Sequence, residues 1–195
     1  MRRARTLVAA LAAALVWPAT GWSQAADAPA RLDLIETLNQ VCIAAQGDRA
    51  RAAALAAGAG FSPTPAETVP HLRNSSETAG FVRSTSADMA YVITGVMTRR
   101  IGRDTARIEF CGVTARPTDH RALDTRLRGL MGFTPVRGAG FEAYAWLQTA
   151  EGRAPTRSLS DAQFLAMAAT GQMRMIGLDR AGPGSTLIYF LPRID

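Results

Sequence analysis

Apolar positions recur along this chain with two different periods. Between Leu32 and Gln46 they fall at Leu34, Leu38, Val41 and Ala45, and spacings of 4, 3 and 4 line one face of a helix. Gly47 supplies a left-handed stop. Asp48 caps a second helix from Arg49 to Ala57, with Ala52, Leu55 and Ala56 on its apolar side. Both helices are rich in alanine, so the hairpin they form can close tightly. Residues 62–78 (SPTPAETVPHLRNSSET) carry three prolines and read as a long loop, the kind that is functional or mobile.

Beyond that loop the period changes to two. A short strand is expected at Phe81–Arg83 and a stronger one at Ala90–Thr98 (AYVITGVMT). A turn holding Gly102 leads to its partner, Thr105–Thr114. Pro117 and Thr118 open a helix from Asp119 to Met131, with Leu123, Leu127, Leu130 and Met131 on one face and Gly132 at its end. Phe141–Thr149 is a further strand: Phe141, Ala143, Ala145 and Leu147 face one way, Tyr144 and Trp146 the other. In LSDAQF, Ser160 and Gln163 form a capping box, bracketed by Leu159 and Phe164 as a hydrophobic staple; this helix runs to Ala169 and stops at Gly171. Gln172–Leu178 and Thr186–Leu191 form a last hairpin, which Pro192 closes.

The order ααβββαβαββ, with short hairpin turns, defines an α+β fold. The expected architecture is an antiparallel sheet of about five to six strands, with an N-terminal helical hairpin and two further helices packed on one of its faces. GAGF occurs at 58–61 and 138–141, but the flanks differ, so there is no internal repeat.

The first thirty residues change the picture of where the chain works. MRRARTLVAALAAALVWPATGWSQAADAPA opens with Arg2, Arg3 and Arg5, continues with an apolar run from Leu7 to Trp17, and ends with small residues up to Ala25. That three-part order is a secretory signal peptide. Eleven apolar residues span roughly 16 Å as a helix, about half a bilayer core, too short for an anchor. The expected division is a signal peptide at 1–25, a polar leader at 26–31 and a single domain at 32–195, periplasmic or secreted, with no membrane span after cleavage. A mature chain of 170 residues is long enough for a sizeable core.

Charge narrows the partners. The formal balance is +6 over 195 residues, and it falls to near +3 once the three leader arginines are removed. There is no lysine, and the arginines are scattered among acids rather than gathered on a stripe with aromatics. Nucleic acid is therefore excluded as a partner. An envelope protein, a peptide or a small apolar ligand remains. Tyr144 and Trp146 are the candidate ligand-facing pair, with plain core under a helix as the alternative.

Candidate chemistry is sparse. No G-x-S-x-G elbow, P-loop or dinucleotide fingerprint occurs, and no cofactor is implied. Cys111 and His120 lie nine residues apart, but Cys111 belongs to a strand expected to be buried, where a thiolate is not activated. Cys42, His71, Cys111 and His120 are zinc-type residues without the closely spaced pairs that seed a site. Asp119 and Asp124 flank a helix start, and Glu109 stands on a strand face. Two cysteines in an exported chain allow one intramolecular bridge, Cys42–Cys111, which would join the first helix to the sheet; two separate buried thiols are the alternative.

Three segments carry a resemblance: VCIAAQGDRARAAALAAGAGF (41–61), EFCGVTA (109–115) and PTDHRALDTRL (117–127). Together they resemble an uncharacterised group of small exported two-cysteine proteins from GC-rich Gram-negative bacteria. The resemblance implies a paired role for the two cysteines and assigns no activity. The expectation is thus an exported binding or interaction module without catalysis. A hydrolase built from distant loops and an envelope assembly or quality-control factor are its rivals.

Overall fold

The computed structural model describes residues 32–69, 75–86, 88–138, 141–157, 160–179 and 184–194. The expected signal peptide and leader, His71 and Leu159 lie outside them. The chain is α+β, and its strands form one antiparallel sheet. Among the described residues that sheet has nine strands, not five or six. They are β1 (Ser62–Thr64), β2 (Ser75–Ser84), β3 (Met89–Ile101), β4 (Asp104–Arg116), β5 (Val136–Gly138), β6 (Phe141–Thr149), β7 (Gly152–Pro155), β8 (Met173–Asp179) and β9 (Ser185–Ile194). Their order is β1-β2-β3-β4-β9-β8-β6-β5, with β7 also paired to β6.

The undercount has a physical cause. β1, β5 and β7 are three or four residues long, too short to show a period, and β1 and β7 contain proline. Proline is tolerated at a sheet edge, and Pro63 and Pro155 both sit in strands with a single neighbour. Much of the expected loop at 62–78 is therefore sheet: β1, a 3₁₀ turn at Ala66–Thr68 and the start of β2. For the same reason β9 continues through Pro192 to Ile194, because beyond Phe190 its ladder partner is β4 alone.

The strong elements stand where the periodicity puts them. β3 and β4 pair over their full length around Gly102, which adopts φ +63°. Helix α3 (His120–Met131) is capped by Asp119, whose carboxylate accepts from the N–H groups of Arg121 and Ala122, and Gly132 closes it in the left-handed region. Leu123, Leu127 and Met131 are buried, whereas Leu130, expected on the same face, is 47% exposed. Helix α4 (Asp161–Ala169) carries the complete Ser160–Gln163 capping box.

The N-terminal layer departs from a regular helical hairpin. It comprises a four-residue turn, α1 (Leu34–Thr37), a π-helical segment (Leu38–Ile43) and α2 (Arg49–Gly58). Asp33 caps α1, and the Asp88 carboxylate ties down the chain just before it by accepting from Leu32 N at 2.8 Å and the Thr85 hydroxyl at 2.7 Å. The wider π turn lets adjacent residues Val41 and Cys42 both reach full burial. A spacing of 4, 3 and 4 does not distinguish that turn from an ordinary one.

The helices also do not share one face of the sheet. The N-terminal layer and α3 pack on Val92, Cys111, Val113, Tyr144, Trp146, Ile176 and Tyr189. The opposite face carries Ile93, Ile108, Phe110, Met175, Ile188 and Phe190, and α4 packs there through Phe164 and Ala168. Alternation along each strand produces these two cores.

Candidate functional site

The face under α4 is only partly covered. A nine-residue helix is about 13 Å long, far less than the width of the eight strands that run across the sheet at roughly 4.8 Å each. Beside α4 the sheet opens into a cavity of about 370 Å³. Met97 of β3, Ile108 of β4, Met175 of β8, Ile188 and Phe190 of β9, and Phe164 of α4 form its apolar lining. Gly177 contributes no side chain to its floor, and a Cβ there would stand 3.1 Å from the Phe190 ring. Two charged residues complete the lining, Arg99 and Asp179. The Arg99 guanidinium lies 5.7 Å from the centre of the Phe164 ring and 3.6 Å from the carboxylate of Asp161, so α4 and β3 meet at the rim through a cation–π contact and an exposed ion pair. Volume and lining are those of a pocket for a small, mostly apolar molecule.

The residues singled out by sequence lie elsewhere. Tyr144 and Trp146 do share one strand face, but it is the face under α3, opposite the cavity. They are 3% and 2% exposed, and the Tyr144 ring meets Phe133 edge-on at 5.8 Å. They are core, not cavity lining. Cys42 and Cys111 form a disulfide, with Cα atoms 5.2 Å apart, that fastens the π-helical segment to β4. Neither sulfur is available as nucleophile or metal ligand. Asp119 is engaged as a helix cap, and Asp124 pairs with Arg128 one turn on, at 3.0 Å. Glu109 lies under Gly47, where a Cβ would come within 2.5 Å of its carboxylate; φ of +86° there also favours glycine.

One contact was not foreseen. His120 Nδ1 and Ser185 Oγ are 2.6 Å apart, joining α3 to the first residue of β9. A Ser–His pair is the start of a nucleophilic dyad. Here the serine is 0% exposed, so it has no access to a substrate, and the pair ties the helix to the sheet. Among the described residues no group of three or more His, Cys, Asp and Glu side chains is placed to hold a metal ion. Nor is any helix among them long and apolar enough to cross a membrane.

The cavity was missed because its lining comes from four strands and one helix, with β8 contributing four residues and each of the other elements one or two. The alternation marked them as buried, but not that α4 would leave part of its own face open. The fold and cavity together define a disulfide-stapled α+β sheet protein with an apolar site on its less covered face. No family model, curated protein or solved structure matches the chain.

Proposed function

We propose that this chain is an exported binding module that holds a small apolar ligand in the cavity beside α4. The observation that carries this reading is the cavity itself, about 370 Å³ and apolar except for Arg99 and Asp179. Pockets that bind small molecules have this size and this sparse polar marking. Export accords with the signal-peptide pattern of residues 1–25 and with the disulfide, which persists in oxidising compartments.

The test is a titration with an environment-sensitive apolar dye, followed by displacement with fatty acids and other hydrophobic small molecules. The protein should bind the dye saturably at one site. Met97→Trp places a large side chain in the cavity from a partly buried position and should abolish that binding while the thermal midpoint stays near the parent value. Equal binding by the variant, or none by the parent, refutes the proposal. Turnover of generic ester, peptide or glycan substrates that disappears on changing one polar residue, with the thermal midpoint unchanged, would instead establish the hydrolase reading.

A further inference from the structure

On the opposite face of the sheet, beyond the end of α3, two arginines converge without an acidic partner. β6 and β8 place Trp146 directly across from Arg174. From the neighbouring β7, the Arg153 guanidinium lies over the Trp146 ring, 5.2 Å from its centre. Both arginines act on the phenol of Tyr189, which is 1% exposed and also faces the side-chain amide of Gln46. Gln46 reaches it from a left-handed backbone conformation, φ +53°, which is uncommon for a residue other than glycine.

No carboxylate of the described residues pairs with either guanidinium. The five ion pairs among those residues involve Arg49, Arg99, Arg107, Arg126 and Arg128 instead. The carboxylate adjacent in sequence, Glu151, is held in its own turn by a backbone N–H and the Thr149 hydroxyl. Arg174 spends one nitrogen on the carbonyls of Gly171 and Met173, at 3.0 and 2.9 Å, and Arg153 turns one toward the Met131 sulfur at 3.8 Å. Each planar fork keeps further donors. Arg153 is exposed and Arg174 partly buried, so the cost of the missing counter-ion falls on Arg174, and a second like charge acting on the same phenol adds repulsion.

We infer that Arg153 and Arg174 form a binding site for an oxyanion, the carboxylate or phosphate group of a small ligand, above the Trp146–Tyr189 floor. Paired guanidinium forks match the geometry of such a group, and the indole fixes one of them in place before the ligand arrives. This site is on the other face from the apolar cavity and does not depend on it.

Trp146 is the natural reporter. In the full chain carrying Trp17→Phe and Trp22→Phe, it is the only indole left. Its emission should change saturably on titration with inorganic phosphate or with acetate, and not with chloride at matched ionic strength. The stronger of the two titrants identifies the ligand class. Arg153→Gln, at an exposed position, and Arg174→Gln should each weaken the response about tenfold or more, the loss of one or two charge-assisted hydrogen bonds. Unchanged thermal midpoints in Arg153→Gln would confirm that the loss is one of binding. A response shared by chloride, or one that survives in Arg153→Gln, would show that the arginines serve packing alone and overturn the inference.

Discussion

At the scale of single residues, two titrating groups tie the N-terminal layer and the sheet to pH. Burial alone would raise the carboxyl of Asp33. The guanidinium of Arg126 at 2.6 Å and the backbone N–H groups of Glu36 and Ile35 outweigh it and hold the group below the usual aspartate range. A carboxyl depressed in the folded state stabilises fully above its unfolded value, about 3.9, and loses that contribution as pH falls through the folded value. Asp33→Asn keeps the cap but not the charge, so it should cost less than about 1 kcal/mol at neutral pH. Denaturant midpoints taken from pH 6 down to pH 2 should fall less steeply for the variant than for the parent. Parallel curves would mean that Asp33 contributes nothing to the acid limb.

Tyr189 has the opposite sign. Burial raises its phenol above the ordinary value, although Arg174, Gln46 and Arg153 pull it down. The folded chain therefore keeps the proton where the unfolded chain releases it, and stability declines as pH rises above about 10. Ultraviolet difference titration of the folded protein should show a tyrosine ionisation step above the ordinary range that belongs to Tyr189. Tyr189→Phe should remove that late step. If the parent and Tyr189→Phe curves differ only near about pH 10 and not above it, the phenol is not held neutral by burial.

At the scale of elements, the capping motifs were the most readable part of the chain. Asp48 and Ser160 each cap the helix their sequence context indicates, because a cap depends on residues within one turn of each other, whereas Asp119, expected as the first helical residue, is itself the cap of α3. Ser160→Ala should cost about 1 kcal/mol, seen as a lower denaturant midpoint with an unchanged slope, and Ser160→Asp should restore most of it. A neutral Ser160→Ala would mean that α4 is held by Phe164 and Ala168 alone. Leu130 shows the limit of reading a stripe. It lies next to Met131 in the sequence, yet one is 47% exposed and the other 6%, because α3 rolls so that Leu123, Leu127 and Met131 meet the sheet. Strand alternation likewise separated Tyr144 and Trp146 from Ala143 and Ala145, but it does not say which face a later helix will cover. That choice depends on the connection after β7 and on the space left by α3. The cavity beside α4 is a consequence of that same choice.

At the scale of the molecule, the Cys42–Cys111 bridge joins the N-terminal layer to the sheet. The N-terminal layer meets the sheet through four large side chains, Leu34, Ile35, Leu38 and Val41, beside small ones such as Ala52 and Ala56. Each buried leucine, isoleucine or valine side chain contributes about 1.5–3 kcal/mol, so these four carry most of what the layer gains from burial. A crosslink spanning 69 residues is worth about 4 kcal/mol in the chain-entropy picture. The bridge is therefore comparable to the burial of about two of those four anchors. Unreduced protein unfolded in denaturant should expose no alkylatable thiol, and two should appear after reduction. Replacing both cysteines by alanine should lower the unfolding free energy by up to about 4 kcal/mol. Hydrogen exchange should then quicken first in α1, the π-helical segment and α2, while β8, β9 and α4 keep their protection. Uniform loss of protection across both faces would instead show that the sheet and its N-terminal layer unfold as one unit with or without the bridge.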